Sequence, residues 1–568
     1  MMYIIGIGSH AEVVYSIVST QKSIPESIEL KFLSYPSRLN DNEYKNLNQF
    51  IKDNYVGGLD EFSKENAQFI IGIGDNIKRK EIATEYKQLN YVNAIHPKAQ
   101  ISTNVKIGFG NVVCAGVVIQ TGTIIGNHNI INTNSSIDHH NKIDNFCHIA
   151  PNCALCGNIV INNGVFIGVG SSIVPKISLK AWSFIKANSL IKKSTSPIQM
   201  YEPYLDKYKA SAMNAINSGW ISSLGEYIDL ASNKLKEVLN AKYVILTNNG
   251  TSATHCLFLA LKYKYPLINK IYVPNNIYVA AWNCALMEYN EDQVEVMKID
   301  IASWNIVTEE QYILSLDTNS AMLVVHNIGN IINVPKLKRI RPDIIFIEDN
   351  CEGLFGRYEN VYTGCSEATL CSSISFFGNK TITSGEGGAI LCSDQNIYEY
   401  LKKVCNQGNT NKRYIHDVLG YNYRMTNIEA AFIYDQLCDI KHILDLKKGI
   451  FNNYELLLKN LLMNGKVQLQ KVEDSVERAH WMFGIKIINN GSFEKIQKYM
   501  NECGVEIRPM FYPINAHKHL HNIKIDNDDN EQAIILNREC IMIPSYPSLE
   551  FDEQKHIIEC MESYINNL

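Results

Sequence analysis

The sequence predicts an α/β protein interrupted by a parallel β-solenoid. A small α/β unit comes first, a triangular prism of six-residue turns second, a large α/β region third and an α+β segment last. Three observations predict this. An aliphatic residue stands at every sixth position from Ile101 to Ile191 with no polar exception. The first residues read as strand, glycine turn and helix, and beyond residue 198 strands and helices alternate again to about residue 440. At 568 residues, and roughly 150 per domain, the chain has room for about three to five domains with ample cores.

In order, MYIIGIG (residues 2 to 8) is a strand entering a glycine turn, HAEVVYSIV a helix, and ELKFLSY and AQFIIGIG two further strands. The turn Gly6-Ile7-Gly8-Ser9-His10 lacks a third glycine, and the second strand ends in Ser34 and Tyr35 rather than an acidic residue. NAD is therefore disfavoured. Amides at the helix start can still hold a diphosphate; a tight turn with no ligand is the alternative. This unit ends near AIHPKA, so a Rossmann-like domain is expected over residues 1–95.

A period of six fits neither a helix, which repeats its apolar positions every three to four residues, nor an ordinary half-buried strand, which repeats every two. It fits a chain that turns a corner after each short strand and points one aliphatic inward per side. Gly108, Gly126 and Gly168, each directly after an aliphatic, are expected at corners. The solenoid should cover 96–193, with KKSTSP at 192–197 as a polar linker. Cys147, His148, Cys153 and Cys156 include a C-x-x-C, but Cys147 and Cys153 hold equivalent places in successive hexads, so packing rather than a metal is expected there.

Lys plus Arg number 53 against 58 Asp plus Glu, a net charge of −5, which leaves no basic field for nucleic acid. Fifteen cysteines, an odd number with no secretory leader, suit a reducing cytosol. No run approaches the ~18 apolar residues of a membrane span, and a cytoplasmic protein is expected.

GIGSHAEVV, GIGDNIKRK at 72–80, IHP at 95–97 and DHHNKIDNFCHIAPNCALCGN together resemble the sialic-acid and bacillosamine type of sugar N-acetyltransferase over about residues 1–193. The resemblance implies a left-handed parallel β-helix, a nucleotide-linked amino sugar in the small domain, and acetyl-coenzyme A along the helix at a subunit junction. Gly6, Gly8, Ser9, Asp75, Asn76 and Arg79 match its sugar-nucleotide positions, and His139 matches its catalytic base. An alkylammonium must lose a proton before its nitrogen attacks a thioester, and histidine, titrating near neutrality, suits that task. His148 matches a histidine near the acetyl group, and the Gly157 N–H is a candidate oxyanion donor. The residue after the base is commonly acidic in this family; here it is His140, and Asp138 is a possible substitute for orienting His139.

The rear half carries a second constellation. NNGTSATHCLFLAL (248–261) reads as a strand end, a small-residue turn and a helix whose first amides could cradle a phosphate. IEDNCEG (347–353) places carboxylates at the carboxyl end of a strand, and SISFFGNKTITSGEGGAI (373–390) contains Lys380. An amine that bonds an aldehyde, a carboxylate that keeps a pyridine protonated and a phosphate cradle suggest pyridoxal 5′-phosphate. The trio resembles the DegT/DnrJ/EryC1/StrS sugar aminotransferases over about residues 196–568, which implies fold type I with a large domain at 194–440 and a small α+β domain at 441–568. On that resemblance Lys380 bonds the cofactor and Asp349 holds its ring nitrogen. Glu352, at a position often held by Gln, lies near its phenolic oxygen. Tyr278 stacks on the ring, Thr251, Ser252 and Ser375 contact the phosphate, and Asn422 reaches the phosphate of a neighbouring subunit.

SGWISSLG, EIRPMFYP and IPSYPSLE resemble the enzymes that aminate C4 of a nucleotide-linked 4-keto-6-deoxyhexose. Arg508 is read either as a sugar-nucleotide contact or as a surface ion pair. Together the halves imply a bifunctional enzyme: L-glutamate supplies the 4-amine and acetyl-coenzyme A caps it. The alternative leaves only the aminotransferase active, with the front half a trimerising or sugar-binding scaffold. The N-terminal resemblance points to UDP as the nucleotide, with GDP and dTDP open, and combining a trimeric with a dimeric family implies a D3 hexamer.

Overall fold

The structure, a computed structural model, describes residues 1–568 except 22–24, 26, 193–197, 411, 413, 526 and 567–568. Beyond Lys192, the expected linker therefore lies outside the described residues. The chain forms two compact units, one of Met1–Gln199 with Lys498–Glu506 and Lys555–Leu568, the other of Met200–Gln497 with Ile507–Gln554. Segments 498–506 and 555–568, from the stretch expected as the small C-terminal domain, thus belong to the first unit.

In the first unit, β1 (Met2–Ile5), β2 (Leu30–Ser34), β3 (Tyr55–Gly58), β4 (Gln68–Ile71) and β5 (Asn90–Tyr91) form a parallel sheet in the order β3-β2-β1-β4-β5. Helix α1 (Ser9–Thr20) follows β1 and α2 (Asn76–Glu85) follows β4. The strands read as unbroken apolar runs because both faces are covered, and Ile4, Ile5, Phe32, Leu33, Phe69 and Ile70 are wholly buried. The chain runs from β1 outward to β2 and β3, then returns to β4 on the other side, so a crevice opens between the carboxyl ends of β1 and β4.

Seventeen two-residue strands follow, from β6 (Ala94–Ile95) to β22 (Leu190–Ile191), each supplying its second residue to the interior. They sort into three parallel sheets of six, five and six strands. Each residue pairs with the one eighteen positions on: Ile119 opposes Ile101 and Ile137, and Ile137 opposes Leu155. Three strands therefore complete one turn, and the six-residue period is one side of it. Asparagines tie successive turns, the Asn111, Asn129 and Asn145 side chains accepting the Asn129, Cys147 and Asn127 amides one turn away.

The corners differ from expectation in one respect. Gly108, Gly126 and Gly168 do not take the left-handed conformation; there a Cβ would strike backbone of the next turn, 2.6 Å from the Gly126 carbonyl oxygen in the case of Gly108. The left-handed corners fall two residues later, at Gly110, His128 and Gly170, and side chains are accepted at such corners, His140 included (φ 56°).

In the second unit β23 (Tyr243–Thr247), β24 (Lys270–Pro274), β25 (Val294–Met297), β26 (Ser320–Val325) and β27 (Ile345–Asp349) precede the hairpin β28 (Arg357–Tyr358) and β29 (Val361–Tyr362). Then come β30 (Thr369–Ser375) and β31 (Gly388–Cys392). The main sheet has the order β23-β31-β30-β27-β26-β24-β25, parallel except for β31. Against it lie α3 (Gly250–Lys264), after β23, and α4 (Val279–Glu288), after β24. α5 (Asn427–Cys438) and α6 (Ile440–Leu457) lead on to β32 (Val467–Gln468), β33 (Val476–Glu477), β34 (Phe483–Ile487), β35 (Arg508–Pro509) and β36 (Cys540–Ile543). All of these but β33, which pairs with β28, form an antiparallel sheet in the order β32-β34-β36-β35. No helix among the described residues is long and apolar enough to cross a membrane.

Candidate active sites

In the first unit the two glycine turns lie side by side because β1 and β4 are neighbours. Gly6 (φ 137°) abuts the Gly72 carbonyl, 2.9 Å from where a Cβ would stand, so a side chain there is excluded. Gly8 and Gly74, by contrast, face open space, and Gly8 and Ser9 at the start of α1 are exposed. Two turns thus border the crevice, with the N-terminal amides of a twelve-residue helix at one of them. Asp75 caps α2, its Oδ1 accepting the Lys78 amide at 2.7 Å.

Arg79 and Asn76, expected at the sugar nucleotide, are committed elsewhere. Arg79 is 1 % exposed. Its guanidinium donates to the carbonyls of Ile73, Gly74, His128, Phe146 and Cys147 and to Asn76 Oδ1, at 2.7–3.2 Å. Asn76 Nδ2 donates to the Gly164 carbonyl at 3.0 Å. Burial pulls the guanidinium down to about 10, and with its donors engaged Arg79 shapes the Gly74 turn instead of reaching a ligand.

His148, in β15 (His148–Ile149), stands at this same turn, its Nδ1 3.2 Å from the Gly74 carbonyl and its ring 6.3 Å from that of His10. Desolvation, with Arg79 nearby, pulls His148 down to about 3 and His10 to about 4, so both are neutral. His10 Nε2 is buried without a hydrogen-bond partner among the described residues.

His139 lies at a corner between β13 (Ser136–Ile137) and β14 (Lys142–Ile143), strands of the other two sheets. Asp138 does not orient its ring; Asp138 Oδ1 accepts the His139 amide at 2.8 Å. The ring is held by His140, the two Nδ1 atoms being 3.0 Å apart. One Nδ1 must carry the proton, and with His139 as donor its Nε2 keeps the lone pair that a base needs. Gly157 and Gly122 make room for the pair. A Cβ at Gly157 would lie 2.5 Å from His139 Cε1, and one at Gly122 2.7 Å from His140 Cδ2. Cys147 and Cys153 turn their thiols to the Asn162 and Gly168 carbonyls, at 3.1 and 3.2 Å.

In the second unit, Asp349 ends β27 and α3 begins beside it. Asp349 Oδ1 accepts the Cys351 amide at 3.0 Å, with the Ser373 hydroxyl at 3.5 Å; Thr254 of α3 meets that hydroxyl at 2.9 Å. The Asn249 side chain caps α3 by accepting the Ser252 amide at 2.8 Å, and Ser375 packs so closely that a Cβ at Gly250 would lie 2.6 Å from its own. The first-turn amides at Gly250 and Thr251 have no acceptor within the helix.

Glu352 is 5 % exposed and accepts the Ile328 amide at 2.8 Å. Ile328 takes a left-handed conformation (φ 54°), strain for a β-branched residue that aims its amide at this carboxylate. Burial pushes Glu352 up to about 7 against the opposing pull of the Lys380 ammonium, with Asp349 raising it further. Lys380 lines an open cleft with Tyr201, Glu202, Lys447, Trp481 and Tyr546. Its Nζ stands 3.9 Å over the Trp481 ring. Arg508, on β35, lies 5.6 Å from the ring of Tyr201, a wall of that cleft.

Tyr278 is exposed at the start of α4, its ring 6.1 Å from that of Phe511. Asn422 is exposed, with Arg424 donating to its Oδ1 at 3.0 Å. Sequence reasoning missed Trp481, Lys447 and the ring contact of His140. Trp481 lies 101 positions from Lys380 and Lys447 another 34 back, with no local pattern linking them. Gly122, one turn before His140, was the legible clue to space for a second ring.

The model of the DegT/DnrJ/EryC1/StrS aminotransferase family matches residues 205–562, and that of the PglD N-terminal domain matches residues 1–86. The GDP-perosamine synthase of Vibrio cholerae is 30 % identical over 389 residues, covering 65 % of this chain and 99 % of that protein. Its counterpart from Escherichia coli O157:H7 is 29 % identical over 377 residues with the same coverage. Among solved structures, Helicobacter pylori PseC, an aminotransferase involved in pseudoaminic acid biosynthesis, superposes with a TM-score of 0.59 at 19 % identity. That match covers 66 % of this chain and 100 % of PseC.

Proposed function

We propose, from the premise that the chain belongs to the DegT/DnrJ/EryC1/StrS aminotransferase family, that it is a bifunctional nucleotide-sugar enzyme. Its second unit moves an amino group from glutamate to C4 of a nucleotide-linked 4-keto-6-deoxyhexose, and its first unit acetylates that amine from acetyl-coenzyme A. The observation that carries the reading is the convergence of Lys380, Asp349 and Glu352 beside the capped start of α3.

These residues fit pyridoxal 5′-phosphate. The first-turn amides of α3, Thr251, Ser252 and Ser375 suit its phosphate, and the pinned carboxylate of Asp349 suits a ring N–H. When bound, that cofactor supplies an electron sink for moving an amino group between carbon atoms. Glu352, its carboxyl raised to about 7 by burial, donates in its protonated form to an oxygen acceptor as a glutamine would. Lys380 Nζ takes a proton from the donor's α-carbon and delivers one to sugar C4. Tyr278 stacks on the bound ring, Asn422 serves the neighbouring subunit's phosphate, and Arg508, beside the cleft, contacts the sugar nucleotide.

In the first unit the β1/β4 crevice holds the sugar nucleotide through Gly6, Gly8, Ser9 and Asp75, with Arg79 and Asn76 shaping the turn behind it. His139 Nε2 takes the proton of the sugar's amine as its nitrogen attacks the thioester carbonyl, the Gly157 N–H meets the developing oxyanion, and coenzyme A leaves as the thiol. His148 lies near the acetyl group. The PglD-type match to residues 1–86 supports this half, as does the period of eighteen in the coil, which we assign the left-handed β-helix. The functional divisions are 1–95, 96–193, 194–440 and 441–568, assembled as a D3 hexamer.

The relatives named for GDP-perosamine move our choice of nucleotide from UDP to GDP. A mass-spectrometric assay with GDP-4-keto-6-deoxymannose, glutamate and acetyl-coenzyme A should yield the N-acetylated 4-amino sugar. Lys380→Ala should abolish amination while still acetylating a supplied amino sugar; His139→Ala should do the reverse. Acetylation undiminished in His139→Ala would leave the front half a scaffold.

A further inference from the structure

On the aminotransferase reading the Lys380 amine would be released when the amino donor's nitrogen takes its place, and would stay free until it displaces the aminated product. A free amine on a flexible stem needs somewhere to rest within reach. In this structure it rests on an indole: Lys380 Nζ is 3.9 Å from the centre of the Trp481 ring, and an indole face is the aromatic surface that attracts a cation best.

Trp481 is itself fixed at two points. Its indole N–H donates to the Asn379 carbonyl at 3.0 Å, so the ring is tied to the residue directly before the lysine it carries. Its own carbonyl accepts from Lys447 Nζ at 2.6 Å. Lys447 also donates to the Ser545 carbonyl, and the Ser545 hydroxyl accepts the Phe483 amide at 3.2 Å, which locks the two chain segments on either side of the ring together. Trp481 is 4 % and Lys447 3 % exposed.

Lys447 pairs with no carboxylate among the described residues. A buried ammonium without a counter-charge is costly, and a purely apolar core would not retain one. Burial accordingly pulls it down to about 7. What it secures is the position of two backbone carbonyls beside Lys380.

We propose that Trp481 is the seat of the Lys380 amine whenever that amine is not bonded to the cofactor, and that Lys447 is the positioning residue that holds the seat in place. The proposal rests on the aminotransferase reading but is argued from a contact between two side chains of this chain. It also names why the tryptophan and the second lysine line the same cleft as the reactive one.

The test uses the full chain freed of pyridoxal phosphate and exposed to an N-hydroxysuccinimide acetyl ester, with acylation of Lys380 followed by peptide mass spectrometry. Lys441, whose side chain is 88 % exposed, serves as internal standard. Trp481→Leu should acylate at Lys380 about tenfold faster than the parent chain, the size of effect expected for losing a desolvated cation–π contact. Trp481→Phe should fall between the two. Lys447→Met should behave as Trp481→Leu does, and Lys447→Arg, which keeps both carbonyl bonds, as the parent. In the same order, Trp481→Leu should capture added pyridoxal phosphate faster, read as visible absorbance.

Equal Lys380 reactivity in the parent and a folded Trp481→Leu would overturn the seat. A parent-like rate in folded Lys447→Met would overturn the role of Lys447, and should that variant not fold, the Lys447→Arg and tryptophan variants still decide. A chain that captures no pyridoxal phosphate would defeat the aminotransferase reading while leaving the acylation result to stand.

Discussion

Glu352 shows how burial can turn one residue type into a substitute for another. Its carboxyl, lifted from the usual carboxylate range to about 7 by desolvation, holds its proton below that value, where it has the donor that an amide would present. A raised folded pKa means that the protonated form is the stable one. The stability it contributes is present below about 4.5 and is lost as pH rises toward about 7. Glu352→Gln should therefore retain amination, and its kcat/KM relative to the parent should climb as pH passes through about 7, which a pH–rate profile of both proteins checks. Arg79→Met, by stripping donors from five buried carbonyls, should destabilise the first unit by about 3 kcal/mol or more in thermal unfolding. At this scale the sequence was only partly informative. Lys380, Asp349 and Glu352 can be proposed from the sequence because strand-end carboxylates and a lysine among glycines leave local patterns. The inward fold of Arg79 onto five carbonyls leaves no such pattern, because nothing in GIGDNIKRK distinguishes a guanidinium facing a ligand from one turned inward.

The coil is the element most completely written in the sequence, since a single aliphatic every six residues has one geometric solution and its register of eighteen follows from three sides. What the repeat conceals is the placement of its corners. The residues after the aliphatics are glycine because of crowding, and the turn conformation itself falls later, where asparagine and histidine are tolerated. Gly157 belongs to the crowded class. Gly157→Ala would set a methyl carbon 2.5 Å from His139 Cε1, too close for the ring to stay in place, and displacing a ring that serves as catalytic base by about 1 Å costs on the order of 100-fold. Acetylation of a supplied amino sugar should fall by that factor while amination and the melting of the second unit stay unchanged. The start of α3 makes the complementary case. Its small residues and asparagine cap mark a phosphate-ready helix end, but the approach of Ser375 from a strand more than a hundred residues away follows from sheet order alone.

For the molecule as a whole, the two units should respond to pH in different windows. The first holds His10 and His128 at about 4 and His148 at about 3, each depressed by desolvation. A depressed histidine costs nothing above about 6.5 and is destabilising as pH falls from there toward 4, because the unfolded chain then binds protons that the folded one refuses. The second unit also has such a histidine, His480, held at about 4 by desolvation, while its Lys447, lowered from 10.5 to about 7, draws its penalty as pH falls across that higher interval. Calorimetry at pH 7 and pH 5 should show the first unit losing more melting temperature than the second; an equal loss in both would count against neutral buried histidines. In solution the particle mass should be that of six chains, the smallest closed assembly that contains both a twofold and a threefold axis.

The eighteen-residue register also limits how such a chain can change its length. An in-frame loss of six codons within the solenoid would shift every later residue by one face, and between Gly122 and Gly157 it would carry the histidine pair away from a glycine that accommodates it, whereas a loss or gain of eighteen leaves each face in alignment. Natural variants should therefore differ in this region by whole increments of eighteen, and a gene engineered to lengthen it has only that step available.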